Sequence, residues 1–194
     1  MLKFNCRLPR LFLRLNKTKF GKKLKLIGWP FIFRFKNASI SIGNNVRINS
    51  NFWSNLLGLY QRTIIIAKGS ASIKIGDKVG ISGATIYAHE KIEIGNGTLV
   101  GANVKIVDND FHPVDPVARQ TSDHSKVPHA PVLIGENVFI GMNAIILKGT
   151  IIGNNCVIGA GSVVHGTFED NCVIAGNPAK IIKKFNTDTA PVNE

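Results

Sequence analysis

The sequence predicts an all-β fold, a parallel β-helix in which short strands alternate with tight corners. Three observations support this prediction. Aliphatic residues recur every six positions over long stretches, asparagine or glycine holds a fixed place in most groups of six, and the 194 residues include 19 glycines. Hydrophobic residues make up 44% of the chain and charged residues 19%, a composition that supports a folded core rather than disorder.

The six-residue period is clearest between residues 134 and 164. The first place of each hexapeptide is a branched aliphatic residue, at Ile134, Ile140, Ile146, Ile152, Ile158 and Val164. The fourth place holds residues that tolerate a positive φ, at Asn137, Asn143, Gly149, Asn155 and Gly161. Because an α-helix has no reason for a period of six, each hexapeptide is interpreted as a strand followed by a corner. Three hexapeptides then make one triangular coil with the aliphatic side chains inside.

The N-terminal segment, residues 1–36, is predicted to be a separate basic segment. Residues 1–76 contain 15 Lys and Arg and no Asp or Glu, whereas the rest of the chain contains nine basic and twelve acidic residues. Four apolar residues of this segment have the spacing of one face of a helix: Leu8, Leu11, Phe12 and Leu15. A short amphipathic helix there either lies on an anionic membrane surface or caps the core of the main domain.

The coils are predicted over residues 37–184, and residues 185–194 are predicted to form a C-terminal tail. The rhythm is loose over residues 54–74, and seven residues rather than six separate Tyr87 from Ile94, so one extra residue is expected there. The regular pattern stops at Ile106 and resumes at Ile134.

A long loop is therefore predicted at residues 107–131. An excursion of this length from a regular solenoid is usually functional. The loop contains three of the five histidines, among them His112, whose backbone is restrained by the following Pro113.

The hexapeptides, the sequence DNDFHPVDP from residue 108 and the closing IAGNPAKIIKK from residue 174 resemble the hexapeptide-repeat acetyltransferases. Among these, the sugar O-acetyltransferases, such as galactoside and maltose acetyltransferases, are the most similar. The resemblance implies a left-handed β-helix, acetyl-CoA as the acetyl donor and a homotrimer. It also implies that the acceptor is the hydroxyl of a sugar. Surface-polysaccharide synthesis, in which the acceptor is a sugar or a lipid-linked glycan, suits the basic N-terminus.

The resemblance assigns the role of general base to His112, because the family carries a His-Pro at this place. An imidazole ordinarily has a pKa of about 6.5, so it can accept a hydroxyl proton near neutral pH. The hydroxyl then attacks the thioester directly. Ser82, which stands where relatives often carry asparagine, is a candidate acceptor contact, and the further candidates are Asp108, Asp110 and Arg119. Asp110 has the alternative roles of orienting the imidazole or serving as a turn residue.

Coenzyme A binding is implied for the C-terminal coils. By position, the groove for the pantetheine arm comprises small residues and one methionine, Gly141, Met142, Ala144, Ala160 and Gly161. The two glycines are equally explained by the needs of the corners. Lys180 and Lys183 stand where basic residues of the family meet the CoA phosphates.

Other functions are consistent with parts of the sequence. Antibiotic-modifying acetyltransferases share the fold and the histidine. His124 and His129, with His89 upstream, resemble the zinc-ligand spacing of related carbonic anhydrases, but an irregular loop suits rigid zinc ligands poorly, and no metal is expected.

The partners and the compartment are predicted from charge and cysteine content. The basic first third suggests an anionic partner, but no nucleic-acid recognition motif accompanies it, so no nucleic acid is expected. Three cysteines without motif spacing are typical of a reducing compartment. The predicted location is the cytoplasm, with contact to the cytoplasmic face of the inner membrane.

Overall fold

The computed structural model describes residues 7–185; residues 1–6 of the predicted N-terminal segment and 186–194 of the predicted tail lie outside that range. The described chain contains two α-helices, α1 (Arg7–Leu15) and α2 (Pro116–Gln120), and 3₁₀ turns at Phe52–Ser54 and His124–Lys126. Its strands are β1 (Lys19–Phe20), β2 (Lys25–Gly28), β3 (Phe31–Arg34), β4 (Ser39–Ile42), β5 (Arg47–Ser50), β6 (Ile64–Ala67), β7 (Ser72–Ile75), β8 (Gly80–Ser82), β9 (Thr85–Ala88), β10 (Lys91–Ile94), β11 (Leu99–Val100), β12 (Lys105–Val107), β13 (Val132–Ile134), β14 (Phe139–Ile140), β15 (Ile145–Ile146), β16 (Ile151–Ile152), β17 (Val157–Ile158), β18 (Val163–Val164), β19 (Thr167–Phe168), β20 (Cys172–Gly176) and β21 (Ala179–Lys184).

The strands form three parallel sheets, one on each side of a triangular prism, and each full coil adds one strand to each sheet. Sheet 1 has the order β1-β4-β7-β10-β13-β16-β19, sheet 2 the order β2-β5-β8-β11-β14-β17-β20-β21, and sheet 3 the order β3-β6-β9-β12-β15-β18. The last pair, β20 and β21, is antiparallel and closes sheet 2. The predicted all-β, left-handed β-helix is confirmed.

The places of the hexapeptide have the predicted roles. Ile140, Ile146 and Ile158 are fully buried in the interior of the prism. The fourth place adopts positive φ, for example 54° at Asn137 and 56° at Asn155. Asn137 donates its side-chain amide to Asn155 at 3.0 Å, so the corners also stack as a ladder of hydrogen bonds. The period therefore reports both the core and the corners.

The β-helix begins at Lys19, earlier than the predicted boundary at residue 37. Strands β1, β2 and β3 pair in parallel with β4, β5 and β6 and form a complete first coil. Its inward side chains, Leu24, Leu26 and Ile32, are buried. The sequence conceals this coil because Lys23, rather than asparagine or glycine, takes the left-handed corner position, with φ of 56°.

Helix α1 caps the open end of the prism. Leu13 is 2% exposed and packs in the core, and the Arg10 guanidinium donates a hydrogen bond to the carbonyl of Leu24. The predicted apolar face of the helix is turned away from the core, because all four of its residues are exposed: Leu8, Leu11, Phe12 and Leu15. None of the helices within residues 7–185 has the length and apolar character needed to span a bilayer.

Two excursions leave the coils. The first, residues 51–63, connects β5 in sheet 2 to β6 in sheet 3 and explains the loose rhythm of the sequence. Its Gln61 donates to the carbonyl of Gly83 at 3.0 Å, so it lies along the edge between sheets 2 and 3. The second, residues 108–131, connects β12 in sheet 3 to β13 in sheet 1, as predicted from the interrupted repeat.

Candidate active site

The stem of the second excursion, called the His112 loop from here on, is fixed by Asp108. This carboxylate is fully buried and accepts hydrogen bonds from the backbone N–H groups of His89, Glu90 and Lys91 at 2.7–2.8 Å. These three residues form the corner where the sequence carries one extra residue. The backbone carbonyl of Asp108 also accepts the N–H of Ala130 at 2.9 Å, which closes the stem.

Asp108 therefore has a different role from the acceptor contact that the sequence predicts. Its side chain has no exposed surface, and both of its oxygens already accept protein hydrogen bonds. A carboxylate in this position stabilises the corner of the preceding coil and the start of the His112 loop together.

A tight turn carries the chain from the stem to His112. Phe111 adopts φ of 62°, and its N–H donates to the Asn109 side chain at 2.9 Å. The Phe111 ring packs against Tyr87 of sheet 3, with 4.9 Å between ring centroids. Burial, with a smaller contribution from Asp108, raises the pKa of Tyr87 and keeps its phenol neutral. These contacts leave the imidazole of His112 exposed at the tip of the turn.

The Asp110 carboxylate forms an ion pair with Lys148 at 2.6 Å, whereas its backbone carbonyl accepts the N–H of His112 at 2.7 Å. Three roles were considered for Asp110: acceptor contact, orientation of the imidazole and turn residue. The structure shows the turn position, together with an ion pair to the next coil. Arg119, another predicted acceptor contact, donates to the carbonyls of Pro113 and Val114 and braces the far side of the loop.

Of the other two loop histidines, His124 lies close to His112, and His129 lies close to His89 of the preceding coil. The rings of His112 and His124 are 6.5 Å apart, and the rings of His89 and His129 are 5.5 Å apart. His129 Nδ1 lies 2.7 Å from a carboxylate oxygen of Glu90. Among residues 7–185 no cluster of His, Cys, Asp and Glu has an arrangement that could hold a metal ion.

Ser82 lies in a different place, on the outer face of sheet 2. Its hydroxyl accepts a hydrogen bond from the side-chain amide of Asn49 at 3.0 Å, and Asn49 in turn accepts from Arg47 at 3.0 Å. These three polar side chains, with Leu99 and Phe139, line a cavity of about 300 Å³. Its mixed polar and apolar lining suits the face of a sugar ring.

Four of the predicted CoA residues occupy the edge between sheets 2 and 3. Gly141 and Met142 lie between β14 and β15, and Ala160 and Gly161 lie one coil further on, between β17 and β18. Within the described chain the backbone N–H groups of Met142 and Ala160 have no hydrogen-bond acceptor, so they are free to donate to a ligand.

Two of the predicted CoA residues have structural roles. Ala144 is fully buried, so its side chain packs in the core and does not reach a ligand. A Cβ at Gly141 would lie 2.5 Å from the backbone nitrogen of Ala160, so adjacent coils pack directly on this glycine. Lys180 and Lys183 are exposed on β21.

A single chain does not bring these groups together. The His112 loop leaves the prism at the edge between sheets 3 and 1, whereas Ser82 and the predicted groove residues Met142 and Ala160 lie along the edge between sheets 2 and 3. The whole width of sheet 3 separates the two edges.

Sequence reasoning missed Lys148, Asn49 and Arg47. A signal was present for Asn49, since it and Ser82 hold the second hexapeptide place, where glycine is usual, and their strands are neighbours in register. Lys148 holds the third place of its hexapeptide, where residue types vary, so the sequence carried no signal for it. Its pairing with Asp110 spans 38 residues and depends on the path of the loop.

Comparisons with known proteins agree with this geometry. A family model described as bacterial transferase hexapeptide (six repeats) matches residues 131–166. Over 175 residues the chain is 35% identical to WbbJ of Escherichia coli K12, which is named as a lipopolysaccharide biosynthesis O-acetyl transferase; the match covers 88% of this chain and 84% of WbbJ.

Solved structures give the same picture. The polysialic acid specific acetyltransferase NeuO is 26% identical, with a TM-score of 0.67 over 90% of this chain and 75% of NeuO. The acetyltransferase VCA0836 of Vibrio cholerae, at 19% identity, shares the fold, with a TM-score of 0.61 over 95% of this chain and 82% of that one.

The left-handed β-helix and its histidine-bearing loop define an acyltransferase of the hexapeptide-repeat type. The chain belongs to the hexapeptide-repeat acetyltransferases, as the sequence resemblance implies.

Proposed function

We propose that this enzyme transfers the acetyl group of acetyl-CoA to a hydroxyl of a sugar in a surface glycan, with His112 as the general base. The observation that carries the proposal is the exposed imidazole on a loop whose stem is fixed by buried hydrogen bonds. The names of WbbJ and NeuO support a glycan acceptor, and VCA0836 has been solved in complex with acetyl-CoA.

In the proposed reaction His112 accepts the proton of the sugar hydroxyl while the hydroxyl oxygen attacks the thioester carbonyl carbon. Backbone N–H groups of the groove stabilise the charge on the carbonyl oxygen. The carbon–sulfur bond then breaks, and the CoA thiolate takes the proton from the imidazolium. Lys180 and Lys183 attract the phosphates of CoA. No covalent acyl-enzyme is required.

The active site is proposed to form between two chains of a homotrimer. His112 of one chain would face the groove of the next, the edge between sheets 2 and 3 with Ser82, Met142 and Ala160, because one chain alone holds these elements on different edges. A cyclic trimer repeats this heterologous contact three times.

A thiol-release assay with acetyl-CoA and a panel of sugars, sugar nucleotides and antibiotics tests the acceptor class. We expect CoA release to depend on a glycan acceptor, with the acetyl ester identified by mass spectrometry. Release that depends on an antibiotic and on none of the glycans would make the chain a xenobiotic acetyltransferase instead.

Mixing two inactive variants tests the shared site. His112→Ala removes the base, and Ala160→Trp fills the groove at an exposed position. When the two are co-expressed, we expect about one quarter of wild-type activity, since about one random pairing in four joins an intact loop to an intact groove. Each variant alone is the control. A mixture as inactive as its parents would place the whole site within one chain.

Helix α1 is proposed to hold the enzyme at the cytoplasmic face of the inner membrane. Its exposed face of Leu8, Leu11, Phe12 and Leu15 adjoins the most basic part of the chain, and an apolar stripe with flanking cations suits an anionic bilayer. Leu13 meanwhile stays in the core, so capping and membrane contact are compatible.

Vesicle sedimentation tests this contact. We expect the protein to sediment with phosphatidylglycerol vesicles more than with phosphatidylcholine vesicles, and the bound fraction to fall at least about tenfold in Leu11→Gln/Leu15→Gln, because two apolar side chains leave the bilayer. Ile182→Gln removes an equally exposed apolar side chain at the other end of the prism and serves as the control. Equal binding of the double variant and wild type would contradict the proposal.

A further inference from the structure

Three cations lie together at the N-terminal end of the prism, two on the outer face of sheet 2 and one at the corner that precedes the sheet. Lys23, Lys25 and Arg47, with Asn45, line a cavity of about 440 Å³. Arg47 also lines the neighbouring cavity of about 300 Å³ that contains Asn49 and Ser82. Lys25 and Arg47 are partners in register on β2 and β5, so the cations follow one another along the sheet. The two cavities therefore form a continuous surface with a basic end and a polar end.

The charges of these three residues are not neutralised by the protein. All three side chains are exposed, and within residues 7–185 none of them forms an ion pair with a carboxylate. The first acidic residue of the chain, Asp77, pairs with Asn44 rather than with one of these cations. Its carboxyl accepts hydrogen bonds from Asn44, which lower the pKa of the carboxyl. Arg47 uses its Nε to donate to Asn49. Its two terminal nitrogens have no hydrogen-bond or ion-pair partner among residues 7–185, so they can bind an anion as a fork.

The position of these cations separates them from the donor groove. Arg47 lies on β5, three strands along sheet 2 from β14, after which the predicted groove residues Gly141 and Met142 follow; three strands are about 14 Å at the usual strand spacing. Lys180 and Lys183, the predicted phosphate contacts of CoA, lie on β21, beyond that strand. In contrast, Arg47 is joined to Ser82 through the single side chain of Asn49. The cations therefore belong to the acceptor side of the site.

We propose that Lys23, Lys25 and Arg47 form a subsite for the phosphate or diphosphate of an acceptor sugar, which extends from the cavity at Ser82. The proposal rests on the proposed function, because it takes that cavity as the acceptor site. The substrate class is then a sugar linked through phosphate rather than a free sugar. A nucleotide-linked sugar and a prenyl-diphosphate-linked sugar present the same phosphate chemistry.

Calorimetric titration tests the subsite without any turnover. The probes are UDP-N-acetylglucosamine, N-acetylglucosamine linked to a short prenyl diphosphate, and free N-acetylglucosamine. We expect wild type to bind one or both diphosphate probes at least tenfold more tightly than the free sugar, and Lys25→Gln/Arg47→Gln to lose about a hundredfold in affinity for them. Added salt should weaken binding. The tighter diphosphate probe identifies the source of the phosphate.

Lys19→Gln is the matched control, because Lys19 is an exposed lysine of the same coil on sheet 1. It should bind the probes like wild type, and the double variant should retain its affinity for acetyl-CoA. Equal affinity of wild type and double variant for the diphosphate probes would overturn the subsite, as would the absence of millimolar binding by wild type. Parallel loss of acetyl-CoA affinity would instead make these cations part of the donor site and also overturn it.

The titration tests the phosphate subsite and the thiol-release assay tests acetyl transfer, so either proposal can be refuted while the other stands. Loss of diphosphate binding in the double variant, in a protein that releases no thiol with any acceptor, would uphold the subsite and refute acetyl transfer. Thiol release with sugars, in a protein whose diphosphate affinity ignores the substitutions, would uphold acetyl transfer and refute the subsite.

Discussion

Replacement of His112 by alanine should lower kcat by about two to four orders of magnitude, the usual contribution of a general base. The acetyl-CoA affinity should change little, because a general base acts on the hydroxyl proton in the transition state and the proposed CoA contacts are made by the groove and by Lys180 and Lys183. Thermal stability should also be unchanged, since the His112 ring is exposed and only its backbone N–H takes part in the turn. Steady-state kinetics, calorimetry with acetyl-CoA and a melting curve measure the three quantities.

The control for this prediction is His124→Ala, because its ring lies 6.5 Å from that of His112 in the same loop. A small effect of that change beside a large effect at His112 identifies the base. If His124→Ala abolished turnover and His112→Ala preserved it, the assignment of the base would be wrong.

Replacement of Asp108 by asparagine should lower the free energy of unfolding by about 2–4 kcal/mol, through buried donors left without acceptors. The Asn side chain has nearly the same shape, but its NH₂ group would face backbone N–H groups that now donate to the carboxylate. The same change should lower kcat, because the His112 loop starts at this residue. Chemical denaturation and steady-state kinetics provide the two readouts.

Asp110→Asn is the comparison for Asp108→Asn. Its ion pair with Lys148 is about a quarter exposed on both side chains, and water can replace the lost contact. We expect a clearly smaller loss of stability there. Wild-type stability in Asp108→Asn would refute the anchoring role. A loss of stability accompanied by a reduced kcat and a normal KM would show that Asp108 also acts through the position of His112.

Much of the fold could be predicted from residues close together in the chain. The aliphatic residue that begins each hexapeptide and the asparagine or glycine three places later are local signals of a strand and a corner, and both behave as predicted at Ile140 and Asn143. The first coil was missed because Lys23 adopts a corner conformation that composition alone does not indicate.

The candidate site was predicted less completely, because its contacts join distant parts of the chain. Asp108 holds a corner 17–19 residues earlier, and Asp110 meets Lys148 across the whole His112 loop. Ala144 holds the fifth place of its hexapeptide, where small residues are common in the sequence, and in the structure it is fully buried. Side-chain type alone did not distinguish a groove residue from a core residue here.

The amino-acid sequence by itself determined the coiled β-helix and the histidine-bearing loop, since a strand and a corner of six residues each depend on local backbone preferences. Only the tertiary structure decided where the functional groups stand around the prism. The excursions at residues 51–63 and 108–131 leave from different edges, and stacking of the coils sets which side chains share an edge. For this reason His112 and Ser82, which the sequence assigns to one reaction, lie on separate edges of one chain.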